Sequence, residues 1–169
     1  MRTNGLHHVT AVAGDPEENR RFYTDTLGSR LVKRTVNFDD TTMYHLYYGN
    51  TTGGPGTAIT FFTFQRARPG RPGRGQAVAT AFAVPPGSLD YWANRLADSE
   101  ATVENRTIWF GAAVRSLTDP DGGERRRYVA DGDHATVVDV LTREPPRGRP
   151  GVGTVHHVAF RAADDAEQD

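Results

Sequence analysis

The hydrophobic pattern of the first sixty residues predicts one strand, one helix and then three strands. Residues 6–13, LHHVTAVA, are rich in β-branched and small apolar side chains, which is typical of a strand. The segment GDPEENRRFYTDTLG predicts a helix with Asp15 as its N-cap, Pro16 in its first turn and Gly28 at its end. The apolar face of this helix consists of Phe22, Tyr23 and Leu27. The three strands follow at residues 30–38, 42–50 and 56–64.

The same order of elements begins again after a segment rich in glycine, proline and arginine. QAVATAFAV at residues 76–84 predicts a strand, and LDYWANRLADS predicts a helix. The apolar residues of that helix follow the spacing i, i+3, i+4, i+7 at Leu89, Trp92, Ala93 and Leu96. ATVENRTIWF and AAVRSLTDPDG then predict two strands. A repeat with a period of about seventy residues therefore indicates two copies of one module.

The pattern changes after Gly122. The segment GERRRYVADGDHATVVDVL, residues 123–141, predicts a hairpin, and a second histidine-bearing strand follows a proline-rich stretch. We therefore expect an α+β fold of repeated βαβββ modules, of which the later ones are incomplete. The expected divisions are a first module at 1–64, a Gly/Pro/Arg linker at 65–75, a second module with an atypical end at 76–142, a linker at 143–152, and the first strand of a truncated further module at 153–169.

Composition excludes several classes of function. The chain of 169 residues contains no cysteine, so disulfides, thiolate nucleophiles and cysteine-based metal centres are excluded. The formal net charge of −1 predicts no general attraction to nucleic acid or to anionic membranes. No apolar run reaches the ~20 residues that a membrane helix needs. We expect a cytoplasmic protein that has neither nucleic acid nor membrane as a partner.

Two predicted strands carry the same pair of adjacent histidines. GLHHVTAV spans residues 5–12, and GTVHHVAF spans residues 153–160. Because neighbouring side chains of a strand point to opposite faces, the second histidine of each pair lies on the more polar face. His8 and His157 are therefore the candidate metal ligands. We also expect the strand at 153–161 to pair with the first strand, in the same chain or in a partner, or else to be disordered, since its edge would otherwise be open.

The first histidine of each pair has a different expected role. His7 and His156 lie on the apolar faces, so we expect them to be buried neighbours or hydrogen-bond partners of the ligands. Two imidazoles and one carboxylate, with open positions opposite, form the facial set that holds Fe(II) for oxygen chemistry. The alternative interpretation is that each is an ordinary hydrogen-bonded strand histidine.

The strings GLHHVT, DPEENRRFYTDTLGSRLVKRTVNFDD, MYHLYYGNTTGGPGTAITFF and GTVHHVAF resemble the vicinal-oxygen-chelate superfamily, which includes glyoxalases, bleomycin resistance proteins and extradiol dioxygenases. Within it the chain is most similar to the two-domain ring-cleaving dioxygenases that open hydroquinone-type aromatics, in shortened form. The resemblance implies curved mixed sheets, a small aromatic substrate and O2. It leaves a homodimer open as the assembly.

The resemblance also implies a metal centre. It implies Fe(II), in some members Mn(II), held by His8 and His157, with His7 and His156 as second-sphere catalytic residues. The third ligand of the family is a glutamate on the last strand of the fourth module, and no residue of this sequence matches it. Asp139, the carboxylate embedded in the apolar run TVVDVL, is the weak substitute.

Other residues and other functions stay open at this point. Tyr44 and Tyr48 are candidate substrate-binding residues, although tyrosines in strands commonly pack and hydrogen-bond. His45 is expected to be a surface residue of its strand. The first alternative function is a non-catalytic module that binds a small molecule, as some members of the superfamily do. A glyoxalase-like lyase or isomerase is the weaker alternative.

Overall fold

A computed structural model of the chain describes residues 3–38, 40–109, 111–129, 136–140 and 146–162. The helical elements are α1 (Pro16–Arg21), a π-helical segment (Phe22–Thr26) that continues it, and α2 (Leu89–Ala97). The strands are β1 (Thr3–Ala13), β2 (Arg30–Val36), β3 (Tyr44–Gly49), β4 (Ala58–Thr63), β5 (Ala77–Val84), β6 (Thr102–Val103), β7 (Thr107–Trp109), β8 (Ala112–Thr118), β9 (Glu124–Val129), β10 (Thr136–Val140) and β11 (Val155–Ala162).

The first sheet combines the start of the chain with its last described strand. Its strand order is β11-β1-β4-β3-β2, in which β1 is antiparallel to β11 and parallel to β4. The register places Val9 opposite Val158 and Thr10 opposite His157. The predicted pairing of the second histidine strand with the first strand is confirmed.

The second sheet repeats the plan of the first one. Its order is β10-β5-β9-β8-β6, with β7 paired to β8, and β5 is parallel to β9 as β1 is to β4. The predicted hairpin at residues 123–141 is wrong, because β9 and β10 lie on opposite sides of β5 instead of pairing with each other. Each of the two strands forms backbone hydrogen bonds with one edge of β5, whose N–H and C=O groups would otherwise lack partners in the sheet. The predicted turn at 131–133 falls outside the described residues.

The first helix begins as its sequence predicts. Asp15 is the N-cap, and its Oδ1 accepts hydrogen bonds from the backbone N–H groups of Glu17 at 2.9 Å and Glu18 at 2.8 Å. The helix loosens into the π-helical segment before Gly28, whose φ of 70° is the left-handed conformation that ends helices. Within the described residues, neither helix has the length and apolarity that crossing a bilayer requires.

The two expected linkers contact each other. Isolated bridges join Pro69 to Val152 and Arg71 to Arg149. Gly73 allows this close approach, because a Cβ atom on it would lie 2.4 Å from the carbonyl oxygen of Pro146. The two arginine-rich segments thus cross the molecule side by side and hold β11 against the module that precedes β5.

Tyr23 lies at the centre of a hydrophobic core that both modules share. Its ring is fully buried and contacts the ring of Tyr48, with centroids 5.0 Å apart, and that of Phe61 at 4.6 Å. Its hydroxyl donates a 2.8 Å hydrogen bond to Oδ2 of Asp119 in the second module. The same core includes Leu96 and Leu117 from the second module. Packing of apolar side chains and one buried hydrogen bond therefore join the two modules.

We expect Tyr23→Phe to lower the free energy of unfolding by about 1.5–3 kcal/mol, the range for a lost hydrogen bond to a charged group. The aromatic packing stays, so the change isolates the bond between the modules. Equilibrium unfolding in urea measures it. Tyr44→Phe is the matched control, since Tyr44 is 43% exposed; equal stability of the two variants would show that the Tyr23–Asp119 bond contributes nothing.

Candidate metal site

The first sheet brings together the two histidines that the sequence selects as ligands. His8 lies on β1 and His157 on the neighbouring strand β11. Their Nε2 atoms are 3.2 Å apart, and their ring planes cross at 81° with centroids 5.3 Å apart. His8 and His157, which are 149 positions apart in the sequence, therefore direct their Nε2 atoms to one point.

In each pair of adjacent histidines, the first histidine contacts the candidate ligand through the Nδ1 atoms of both rings. Nδ1 of His7 lies 2.8 Å from Nδ1 of His8, and Nδ1 of His156 lies 2.9 Å from Nδ1 of His157. One nitrogen of each such contact carries the proton and the other accepts it. When His8 and His157 are the donors, their Nε2 lone pairs face each other. The expected hydrogen-bond partnership is present, but His7 and His156 are exposed, so their expected burial is wrong.

Burial and neighbouring histidines favour the neutral form of both facing imidazoles. Burial lowers the pKa of His8, and the neighbouring His157 and His7 lower it further because a second positive charge would be repelled. Burial and His156 lower the pKa of His157 in the same way. Neutral imidazoles with unshared Nε2 electron pairs are the form that binds a metal ion.

The spacing of the two nitrogens fits one transition-metal ion. Two imidazole nitrogens bound at about 2.1 Å to one ion in neighbouring positions lie about 3 Å apart, and the observed separation is 3.2 Å. Within the described residues, however, no three histidine, aspartate or glutamate side chains form a group that could hold a metal ion. The pair provides two neutral ligands and no anionic one.

Asp139 lies in a different sheet from the histidine pair. It belongs to β10, where it pairs with Ala79 of β5. His8 and His157 belong to the first sheet. The side chain of Asp139 is not among those that the structure describes, so its role as a substitute ligand stays a prediction.

A row of polar side chains beside the histidine pair was not predicted. Oγ1 of Thr10 lies 2.9 Å from Nε2 of His157 and 2.8 Å from Oγ1 of Thr60. Nε2 of His45 lies 2.9 Å from Oγ1 of Thr60, and the Tyr47 hydroxyl lies 2.8 Å from Nδ1 of His45. The expectation that His45 is a surface residue is wrong, because its side chain is only 9% exposed. The i, i+2 spacing of His45 and Tyr47 is the signal that could have linked them.

The two tyrosines chosen from the sequence lie on the other face of β3. Tyr48 is fully buried, and its hydroxyl donates a 2.9 Å hydrogen bond to Oδ1 of Asn19. Burial raises the pKa of Tyr48. Tyr44 is exposed, with the guanidinium of Arg34 5.4 Å from its ring centroid. The alternation of β3 therefore directs Tyr44 and Tyr48 away from the histidine pair and Tyr47 toward it.

Comparisons with known proteins identify the family of the chain. The family profile described as the glyoxalase/bleomycin resistance protein/dioxygenase superfamily matches residues 5–124. A Bacillus subtilis (strain 168) protein described as a candidate ring-cleaving dioxygenase, MhqE, is 39% identical over 95% of this chain and 72% of its own length. That alignment spans 220 positions, more than the 169 residues present here, so the relative contains inner segments that this chain lacks. This agrees with the expected shortened form.

Two further relatives extend the comparison. Chlorohydroquinone/hydroquinone 1,2-dioxygenase from Sphingobium indicum is 38% identical over 72% of this chain, which spans only 39% of that enzyme. The crystal structure of a candidate dioxygenase from Bacillus subtilis subsp. subtilis str. 168 superposes with a TM-score of 0.89 at 32% identity, covering 99% of this chain and 73% of the other. The family match, the repeated βαβββ sheets and the paired histidines lead to one conclusion: the chain belongs to the glyoxalase/bleomycin resistance protein/dioxygenase superfamily, among relatives described as ring-cleaving dioxygenases.

Proposed function

We propose that the chain is an Fe(II)-dependent, extradiol-type dioxygenase that acts on hydroquinone- or catechol-like aromatics. The observation that carries this proposal is the convergence of the Nε2 atoms of His8 and His157 to 3.2 Å. The names of the relatives support the reaction class, because they describe ring cleavage and, in one case, hydroquinone as substrate. O2 and the aromatic ring would be the two substrates.

The histidine pair would hold the metal ion, with Mn(II) as the alternative to Fe(II). Such an ion supplies Lewis-acid activation of a ring hydroxyl and electron transfer to O2. His8 and His157 bind through Nε2, while His7 and His156 accept the Nδ1 protons and so fix the tautomer and the ring orientation. The metal would thus depend on all four histidines, although only two of them touch it.

Phe62 would form the wall against which an aromatic substrate packs. Its ring centroid is 6.3 Å from that of His157 and 4.4 Å from that of His45. The face of an aromatic ring next to the metal pair provides apolar contact area and excludes water. This position favours a flat, aromatic substrate over an aliphatic one.

The third, anionic ligand would come from a side chain that the structure does not describe. Two neutral imidazoles leave the charge of a divalent ion uncompensated, and a carboxylate in the facial set supplies that charge. A substrate that binds as a phenolate would contribute a second negative oxygen. We therefore expect metal binding to strengthen when a hydroquinone is present.

A second candidate function is sequestration of a small aromatic molecule without chemistry. The absence of a three-residue metal group from the described part of the chain favours it. Calorimetry with hydroquinone, with and without a chelator, separates the two functions. Binding that is insensitive to the chelator, together with no oxygen uptake in the presence of Fe(II), would support sequestration and exclude the dioxygenase.

We expect His8→Ala and His157→Ala each to weaken Fe(II) binding by ~100-fold or more, because loss of an outer partner of a ligand already costs ~10–100-fold. Anaerobic isothermal titration calorimetry measures the affinity, and an oxygen electrode measures metal-dependent uptake with hydroquinone. Glu17→Gln is the control, since Glu17 is an exposed carboxylate on α1. Affinity in either alanine variant equal to that of the wild type would contradict the assignment of the ligand pair.

We expect His7→Leu to weaken Fe(II) binding by ~10–100-fold, because His8 loses the acceptor that holds its Nδ1 proton. His7→Asn should recover part of the affinity, since its side-chain oxygen can accept the same proton. The same calorimetric titration measures both variants. If leucine and asparagine have the same effect, His7 acts through packing and not through its hydrogen bond.

A further inference from the structure

A continuous row of hydrogen bonds crosses four strands and ends beside the histidine pair. It runs from Tyr47 and His45 on β3, through Thr60 on β4 and Thr10 on β1, to His157 on β11. The successive donor–acceptor distances are 2.8, 2.9, 2.8 and 2.9 Å. Every link is within ordinary hydrogen-bond length.

Each of the three links between Tyr47 and Thr10 holds one hydrogen, so with a neutral His45 only two directions of donation along them are consistent. In the outward direction Thr10 donates to Thr60, Thr60 to Nε2 of His45, and Nδ1–H of His45 to the Tyr47 oxygen. The Tyr47 hydroxyl then donates to water. In the inward direction every one of these bonds is reversed, and His45 carries its proton on Nε2. A change from one direction to the other moves one proton from end to end and leaves each group neutral.

The middle of the row is buried, and its two ends are more exposed. Thr10 and Thr60 are 0% and 1% exposed, and Phe62 covers the ring of His45 with centroids 4.4 Å apart. Tyr47 is only half-buried, and Nζ of Lys33 lies 5.6 Å from its ring centroid. Water can therefore exchange protons with the Tyr47 hydroxyl at one end of the row, while Thr10, Thr60 and the ring of His45 are buried. His157, at the other end, is exposed.

The charge state of His45 suits a relay. Burial lowers its pKa to about 4, and the nearby His8, His157 and Lys33 contribute in the same direction. These are the titratable groups that face it, apart from Tyr47, whose pKa is raised by burial. A neutral imidazole between two hydroxyl groups can accept a proton on one nitrogen while it gives one up from the other.

We propose that Tyr47, His45, Thr60 and Thr10 form a proton relay between the solvent at Tyr47 and the candidate metal site at His8 and His157. The inference rests on the proposed function, because a ring hydroxyl that binds a metal ion as an oxyanion must release its proton. Thr10 lies 2.9 Å from the nitrogen that would hold the metal, so an oxygen bound there comes within reach of its hydroxyl. None of the four relay residues needs to touch the metal.

The proton balance of the step is complete. The substrate hydroxyl gives its proton to Oγ1 of Thr10, whose own proton passes to Oγ1 of Thr60. The Thr60 proton passes to Nε2 of His45, and the Nδ1 proton of His45 passes to the Tyr47 oxygen. The Tyr47 hydroxyl proton passes to water. One proton enters and one leaves, no electron is transferred, and His45 changes only its tautomer.

The test is the rate of proton release when hydroquinone is mixed with the Fe(II)-loaded protein under anaerobic conditions. A pH indicator in a stopped-flow instrument follows the release before any reaction with O2. Thr60→Val cuts the row at its middle with a side chain of the same shape. Thr63→Val is the matched control, because Thr63 is a buried threonine of the same strand whose hydroxyl donates to the carbonyl oxygen of Tyr44.

We expect Thr60→Val to slow proton release by about 10²-fold, within the range of positioned acid–base groups. The affinities for Fe(II) and hydroquinone should stay within about twofold of the wild type, since neither contact is removed. Thr63→Val should release protons at the wild-type rate. Equal rates in the wild type and Thr60→Val, with binding intact, would overturn the relay alone.

A second measurement needs no metal. Nitrogen-15 NMR of the His45 ring in the metal-free protein at pH 7.5 should show a hydrogen-bonded Nε2 whose shift changes in Thr60→Val and not in Thr63→Val. An unchanged Nε2 shift in Thr60→Val would overturn the relay. Failure of the wild type to bind Fe(II) in the calorimetric titration would instead overturn the proposed function, and the relay with it. Proton release and NMR therefore test the relay, whereas the calorimetric titration tests the proposed function.

Discussion

The pairing of β1 with β11 is the interaction on which the whole site depends. The two strands lie at opposite ends of the chain, and the register that sets Thr10 opposite His157 brings His8 and His157 to the same face. A shift by one residue would turn His157 to the other face and replace it with His156 or Val158. The backbone ladder of one strand pair therefore decides whether two distant imidazoles can share a ligand.

The rest of the fold holds that register in place. The arginine-rich segments before β5 and before β11 bridge each other, so β11 reaches β1 from a fixed direction. Tyr23 contributes from beneath the sheet, where its ring packs against Tyr48 and Phe61 and its hydroxyl binds Asp119. Because the core is shared by both modules, the sheet that carries the histidines cannot shift without disturbing the second module.

The chemistry of the site follows from burial and from mutual repulsion. Desolvation and neighbouring histidines lower the pKa values of His8 and His157, which favours the neutral form that binds a cation. The same effect keeps His45 neutral in the interior of the polar row. The described residues next to the pair provide neutral nitrogen and hydroxyl groups, so the negative charge that a divalent ion needs must come from elsewhere or from the substrate.

Sequence alone determined the elements and the candidate ligands, because these depend on local patterns. The N-cap at Asp15, the repeated order of strand and helix, and the duplicated His-His strands can each be read within a few residues. The duplicated histidine strand predicted the pairing of β11 with β1. The sequence did not determine the partners of β9 and β10, which lie close in sequence yet flank β5. It placed His45 at the surface, whereas the residue is buried. Alternation groups Tyr44 with Tyr48 and His45 with Tyr47, but only packing against α1 decides which group faces the helix. The polar row from Tyr47 to His157 was decided by tertiary structure alone, because it joins side chains of four strands whose registers no local pattern specifies.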